Sequence, residues 1–267
     1  MRLREIPPDA STLRSALPRF LPGGDAGVLL LHGFTGTPRD IARMADHLQS
    51  TGFAVSVPRL PGHGTNGTDF LQTDCHDWLR AAADAWLDLR ARCEIIHIVG
   101  HSMGAVLAVL LASHFPAARL VLLAPAFKFT NRLLPWSFLI GLFVRRIRWQ
   151  VTAQEEISDS DYSALSREYW QWRYPRQGAS YLRLRRMAVR ALRRVTSDTL
   201  IIVGEADRNV PTTVVPFLEK RMTSATTRHA VYEHATHLLF TGPYAQNIRK
   251  QVSDWLTAPA ATVTFRP

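Results

Sequence analysis

The sequence contains little cysteine and no long apolar run. Its two cysteines, Cys75 and Cys93, have none of the paired spacings that metal sites and disulfide frameworks use, so we interpret both as bystanders. The longest nearly unbroken apolar stretch, residues 133–144 (LLPWSFLIGLFV), is shorter than the roughly 20 residues of a membrane-spanning helix. A disulfide scaffold, a cysteine-ligated metal site and a transmembrane helix are therefore not predicted.

The first twenty residues also lack the features of a secretory signal. They contain arginines, but neither an apolar core of about 7–15 residues nor a small-residue cleavage site. We therefore expect an intracellular, cytoplasmic protein. A hydrophobic fraction of 46% with 20% charged residues is ordinary for a globular chain, and 267 residues allow one large α/β domain or a medium domain with an insertion.

Nearly all of the chain's excess positive charge lies in one segment. Residues 127–195 hold 14 Lys or Arg against 5 Asp or Glu, a net charge of +9, whereas the remainder has 18 against 17. Such a segment is either a solvated basic face or a surface for an anionic partner. Aromatic residues are interleaved with its arginines, namely Trp136, Phe138, Phe143, Trp149, Trp170 and Trp172 among Arg145, Arg146, Arg148 and Arg173.

Apolar runs alternate with amphipathic stretches along most of the chain. Strands are predicted over 26–34, 53–60, 94–100, 119–126, 198–204 and 228–234, and helices over 37–52, 77–91, 103–115, 210–222 and 242–256. In the second helix Trp78, Ala82, Ala85 and Leu89 recur at helical spacing. This alternation predicts a mostly parallel sheet with helices on both faces. It is interrupted at residues 127–195, which are predicted to form a mainly helical insertion between two of the strands.

The stretch IVGHSMGA, residues 98–105, places Ser102 between Gly100 and Gly104, after a predicted strand and before a predicted helix. In a G-x-S-x-G motif, the serine lies on a strained strand-to-helix turn, and the small residues on either side let backbones pass closely. The alternative is a serine that merely lies near a helix start. Because both flanking elements are present, the motif predicts a nucleophile.

Partners of Ser102 should follow other strands, because open α/β sheets bind ligands at the carboxyl ends of their strands. Asp207 follows one strand, and it is preferred over Glu205 and over Asp198, which precedes that strand. His234 and His237 follow the last strand, and we favour His237. The chain order Ser, Asp, His is the one expected of α/β-hydrolases.

Five stretches resemble the carboxylesterase and monoacylglycerol lipase branch of the α/β-hydrolase superfamily: GVLLLHGFTGTP, RLPGHGT, HIVGHSMGAVLA, GEADRNVP and YEHATHLL. The resemblance implies Ser102 as nucleophile, Asp207 and His237 as its partners, and the backbone amides of Phe34 and Met103 as oxyanion hole. It also implies an α/β-hydrolase core (1–126 and 196–267) and a cap (127–195) over the active site. His63 is interpreted as structural, and His101 as a residue that orients the turn.

The expected activity is hydrolysis of carboxylic esters, lipid-like or of the monoacylglycerol type, through an acyl-enzyme and without a metal or organic cofactor. Thioesterase, acyltransferase and carbon–carbon bond hydrolase roles use the same residues and stay open. A non-catalytic binding protein is disfavoured by the complete triad, and a nucleic-acid partner by the lack of a recognisable motif. The expected partners are an ester with an acyl chain and an anionic membrane surface, met peripherally through the cap. The alternative for the cap is that its aromatics line an acyl pocket.

Overall fold

The computed structural model of the chain describes residues 10–149 and 160–258. Residues 1–9 and 259–267 of the predicted core and 150–159 of the predicted cap lie outside the described residues. The strands are β1 (Arg19–Leu21), β2 (Ala26–Leu31), β3 (Ala54–Val57), β4 (Ile95–His101), β5 (Arg119–Leu123), β6 (Ile147–Arg148), β7 (Trp172–Arg173), β8 (Asp198–Gly204) and β9 (Thr227–Tyr232). The helices are α1 (Ala42–Ser50), α2 (Gly67–Phe70), α3 (Cys75–Arg90), α4 (Met103–Ala112), α5 (Ser137–Phe143), α6 (Ser160–Leu165), α7 (Pro175–Ala191), α8 (Val214–Glu219) and α9 (Ala245–Thr257).

Seven of these strands form one sheet in the order β1-β3-β2-β4-β5-β8-β9. Only β1 runs antiparallel to its neighbour, and the other pairs are parallel. The central pair aligns Ala26 with Ile95 and Leu31 with Gly100. The predicted mostly parallel sheet is thereby confirmed, while the edge strand β1 was not predicted, because three residues give no periodic signal.

The central strands bury both of their faces and are nearly continuous apolar runs, as expected of a parallel sheet that is covered on both sides. In β2, Leu29 and Leu31 point into one core cluster, whereas Val28 and Leu30 point into a second. Helices α3, α4 and α7 cover the first face, and α1 and α9 cover the second. All residues of α4 are buried, as expected of a helix that is apolar on every side.

Helix α3 begins at a capping box, in which the Asp74 carboxylate accepts the His76 N–H and Asp77 accepts the Asp74 N–H, each at 2.8 Å. Its buried positions include Trp86, which stacks on Phe115 at 4.4 Å between ring centroids. Ala85, predicted to lie in the buried stripe, is half-buried instead. The larger indole takes the inward position because it removes more apolar surface from water.

The chain between the adjacent strands β5 and β8 contains α5, β6, α6, β7 and α7, with a π-helical turn at Ser166–Trp170. Strands β6 and β7 form a separate antiparallel pair. Helix α7 buries Leu184, Ala188 and Ala191 in the same cluster as α4. This helix is therefore packed into the main core, although it lies within the predicted cap segment.

Candidate active site

Ser102 occupies the single residue between β4 and α4, with φ 56° and ψ −115°. This backbone conformation is costly for a residue with a side chain and persists only where the surroundings hold it. Here the Ser102 N–H donates to the Leu123 carbonyl at 2.9 Å. A Cβ at Gly100 would overlap the Gly104 backbone, and a Cβ at Gly104 would overlap the Leu31 carbonyl. The turn therefore requires both glycines, as the motif predicts.

Three side chains from separate loops form a continuous hydrogen-bonded array. His237 Nε2 lies 3.0 Å from Ser102 Oγ, and His237 Nδ1 lies 2.7 Å from Asp207 Oδ2. The second carboxylate oxygen, Asp207 Oδ1, accepts the N–H groups of Asn209 at 2.7 Å and Val210 at 2.9 Å. A carboxylate facing Nδ1 places the imidazole proton there and leaves Nε2 free to accept the serine proton.

The Asp207 side chain is 1% exposed. Burial by itself would raise the pKa of its carboxyl group, but the hydrogen bond and charge interaction with His237 and the two backbone N–H bonds outweigh it and lower the pKa. Asp207 therefore stays ionised and can stabilise a positive charge that develops on the imidazole.

The structure distinguishes His234 from His237, the two candidate bases in the loop after β9. His234 is exposed, in the left-handed region at φ 59°, whereas His237 contacts Ser102 and Asp207. Of the candidate acids, Glu205 is exposed, and Asp198 begins β8 at the opposite end of the strand. The structure thus brings together the three residues that the sequence favoured.

The His101 side chain contacts the backbone of the loop that carries His237. Its Nε2 lies 2.9 Å from the His237 carbonyl oxygen, so this nitrogen carries the proton and donates it. Burial and the charge of His237 lower the pKa of His101 to about 3, which keeps the ring neutral. His101 was predicted to orient the serine turn, and its hydrogen bond to the His237 carbonyl also links the turn to the histidine loop.

The loop after β2 lies beside the serine. A Cβ built on Gly33 would stand 3.1 Å from Ser102 Cβ. The next residue, Phe34, packs its ring on Phe70, Trp78 and Tyr181. No hydrogen bond from the Phe34 N–H is found among residues 10–149 and 160–258. Met103 begins α4, and the first N–H groups of a helix have no acceptor within that helix.

His63 lies apart from this array. It is fully buried, with its ring edge-on to His32, Phe70 and Trp78, and burial lowers its pKa well below the ordinary value. In the described part of the chain, no cluster of three or more His, Cys, Asp or Glu side chains could hold a metal ion.

Residues 133–149, here named the exposed cap segment, carry most of the exposed large hydrophobic side chains found in the described residues. Helix α5 packs on α7 through its small residues Ser137 and Gly141, and Arg176 Nε donates to the Gly141 carbonyl at 2.9 Å. Its large apolar residues consequently face outward. The exposed hydrophobic residues of the segment are Leu133, Trp136, Phe138, Leu139, Leu142, Phe143, Val144, Ile147 and Trp149.

The exposed cap segment contains Arg145, Arg146 and Arg148 but no Asp or Glu. All three arginines are exposed, and Arg146 also lies over the Trp172 ring at 4.2 Å. Trp170 and Trp172 are half-buried, unlike the aromatics of the segment itself. None of the helices in residues 10–149 and 160–258 combines the length and the apolar character needed to cross a bilayer.

Comparison with known proteins supports the fold and shows the family. A model of the alpha/beta hydrolase family matches residues 28–246. The chain is 41% identical over 104 residues to the thermostable monoacylglycerol lipase of Bacillus sp. (strain H-257), covering 39% of this chain and 42% of that protein. It is 33% identical over 100 residues to a carboxylesterase of Bacillus subtilis (strain 168), covering 37% and 41%.

These matches span about two fifths of each relative's length. A solved structure from work on LipS and LipT, two metagenome-derived lipolytic enzymes, superposes with a TM-score of 0.82 at 22% identity. That superposition covers 92% of this chain and 99% of the other. The similarity in structure shows a shared fold.

Proposed function

Since the chain belongs to the alpha/beta hydrolase family, we propose that it is a serine hydrolase that cleaves carboxylic esters. The observation that carries the proposal is the array in which His237 lies 3.0 Å from Ser102 Oγ and 2.7 Å from Asp207. A nucleophile, a base within hydrogen-bonding distance and a third group that orients the base are what acyl transfer through serine requires.

In the first step, Ser102 Oγ attacks the ester carbonyl carbon while His237 Nε2 takes the hydroxyl proton. The C–O bond to the alcohol breaks as His237 returns that proton to the leaving oxygen, which leaves an acyl-enzyme. Water then adds to the acyl carbon, His237 again accepts and returns the proton, and the acid departs. Asp207 holds the imidazole with Nδ1 protonated throughout.

The carbonyl oxygen becomes negatively charged in both tetrahedral intermediates. We assign its stabilisation to the backbone N–H groups of Phe34 and Met103, which belong to the loop beside Ser102 and to the first residue of α4. Removal of one such donor typically costs about 10²–10³ in rate. The two groups are fixed before the substrate arrives, because one lies in a strained loop and the other in a buried helix.

The proposed substrate is a lipid-like ester with an acyl chain, such as a monoacylglycerol. Two considerations support it. The curated relatives include a monoacylglycerol lipase and a carboxylesterase, and the ring of Phe34 lies in a group of apolar and aromatic side chains. An apolar surrounding next to the nucleophile favours the binding of a hydrocarbon chain.

The proposal extends to an anionic lipid surface as the partner of the exposed cap segment. Helix α5 turns Phe138, Leu142 and Phe143 toward solvent, and the adjoining Arg145 and Arg148 supply positive charge. Apolar side chains that can insert between lipids, next to cations that attract anionic headgroups, are the two requirements of an interfacial helix. Residues 127–195, except α7, would then act as the cap that receives acyl chains.

The proposal is tested by a panel of p-nitrophenyl esters of graded acyl length, monoacylglycerols and an acyl thioester, each with water and with an added alcohol as acceptor. Ser102→Ala and His237→Ala should each lower kcat by about 10⁶, because the triad acts as a unit. His234→Ala is the matched control and should stay within a few-fold of the wild type. Full activity of Ser102→Ala, or loss in His234→Ala in place of His237→Ala, would refute the assignment.

A further inference from the structure

The turn Ser166–Trp170, which lies in the chain between β5 and β8, contacts the loop beside Ser102. Trp170 Nε1 donates to the Thr35 carbonyl oxygen at 3.3 Å. Thr35 lies in the left-handed region at φ 57°, where a residue with a side chain is strained and needs external support. Its own hydroxyl donates to the Phe34 carbonyl at 2.7 Å.

Two peptide groups connect the hydrogen bond of Trp170 with the Phe34 N–H. A trans peptide is planar, and its N–H points opposite to its C=O. The Thr35 carbonyl shares a peptide with the Gly36 N–H, which donates to the Gly33 carbonyl at 3.1 Å. The Gly33 carbonyl in turn shares a peptide with the Phe34 N–H. Fixing the Thr35 oxygen therefore helps to fix the direction of the Phe34 N–H.

His32 holds the same peptide from the core side. The Leu60 N–H donates to His32 Nε2 at 3.1 Å, so the ring proton is on Nδ1, which lies 3.0 Å from the Gly33 oxygen and donates to it. The Gly33 carbonyl thus accepts two hydrogen bonds, one from the His32 ring and one from the Gly36 N–H, whose peptide also accepts the bond from Trp170.

Trp170 is itself held against the core by its two predecessors. Glu168 Oε2 accepts the Gly67 N–H at 2.9 Å. The Tyr169 hydroxyl accepts the Thr65 N–H and donates to the Gly62 carbonyl, each at 2.9 Å. Three consecutive residues of one π-helical turn therefore reach core loops, and such turns occur frequently at functional sites.

We propose that Trp170 is a positioning residue for the oxyanion donor at Phe34, acting through the hydrogen-bonded chain Trp170, Thr35–Gly36, Gly33–Phe34. The inference rests on the proposed function, because it needs Phe34 as an oxyanion donor. Hydrogen bonds in such a chain polarise one another. The Trp170 bond therefore both orients the Phe34 N–H and strengthens it as a donor.

The test replaces Trp170 by Phe, which removes the N–H, and separately by 3-benzothienylalanine, which keeps the shape of the ring system and has sulfur in place of N–H. Trp172→Phe is the matched control, since within the described residues this neighbouring tryptophan makes no hydrogen bond to the loop and instead contacts Arg146. We expect kcat on p-nitrophenyl butyrate to fall about fivefold in both Trp170 variants, the usual effect of one neutral hydrogen bond. KM should change less than twofold. Rates are expressed per active site, counted by complete titration with a phosphonate.

A second readout separates positioning from pocket shape. Ser102 Oγ adds to the carbonyl carbon of a trifluoromethyl ketone, its proton passes to His237, and the carbonyl oxygen becomes an alkoxide at the oxyanion position. Affinity for this ketone should fall by the same factor as kcat/KM, whereas affinity for the matching methyl ketone should not. Equal losses for both ketones, or Trp170 variants with the wild-type kcat, would overturn the inference.

The inference and the proposed function fail in different ways. If Ser102→Ala is inactive while the Trp170 variants match the wild type, the positioning role of Trp170 is wrong and the serine hydrolase assignment stands. If Ser102→Ala keeps the wild-type rate, both are wrong.

Discussion

The main sheet and the exposed cap segment place the same kinds of side chain in opposite surroundings. In β2, Val28, Leu29 and Leu30 are fully buried, because helices cover both faces of the sheet. In α5 the small residues Ser137 and Gly141 face the protein, and Phe143 is 87% exposed. Apolar side chains that are buried in the core stabilise the folded state, whereas the exposed ones of the segment do not contribute this free energy. This difference supports the proposal that the cap segment docks on a lipid surface.

The sharpest test of this comparison is a pair of truncations. Leu30→Ala should lower the free energy of unfolding by about 2–5 kcal/mol, because it leaves a cavity between the sheet and the helices that cover this face. Phe143→Ala should change it by less than about 0.5 kcal/mol, because the ring is already in water. Urea denaturation of both variants measures the two values. A large loss in Phe143→Ala would mean that the ring packs inside the protein and is not available to lipid.

The next test concerns the partner itself. Three arginines near a membrane surface contribute about 1 kcal/mol each, so changing Arg145, Arg146 and Arg148 together to Gln should weaken binding to phosphatidylserine-containing vesicles by about 100-fold at low salt. High salt should weaken wild-type binding similarly, since the Debye length shortens. Turnover of a soluble monomeric ester should be nearly unchanged in each case. Co-sedimentation and ester kinetics measure the two effects.

A matched control removes the same charge elsewhere. Arg43, Arg92 and Arg228 are exposed and lie outside the cap segment, so their joint change to Gln should leave vesicle binding much closer to wild type. If both triple variants bind equally, the attraction comes from net charge alone. If the wild type fails to bind at low salt, the arginines serve solubility and the docking proposal is wrong.

The features that sequence could predict are those encoded by neighbouring residues. Alternating apolar runs predict the strands, and two glycines around Ser102 predict the turn, because each signal is local. Distant contacts have no such signal. Nothing near Trp170 indicates that its N–H meets Thr35, and nothing in α5 shows that Ser137 and Gly141, not Phe138, face α7. The preference for His237 over His234 could be predicted from loop position, although only the fold brings one of them to Ser102.

A further prediction distinguishes the two regions by their response to pH. All ten histidines lie outside residues 127–195, and several are buried in the core. His97 is one of them, packed edge-on against Phe53. Burial, aided by the positive charge of Arg119, lowers its pKa to about 4 from the ordinary value of 6.5.

A lowered histidine pKa means that the unfolded chain binds the proton first, so His97 contributes stability that is lost as pH falls from about 6.5 toward 4. Between pH 7 and pH 5 this loss is about 2 kcal/mol for one such histidine. His97→Leu should therefore reduce the difference in unfolding free energy between these two pH values by about that amount, measured by urea denaturation of wild type and variant. Vesicle binding, which we propose to depend on a segment without histidine, should not follow the same curve. An unchanged pH dependence in the variant would show that His97 is protonated in the folded core, or that water reaches it.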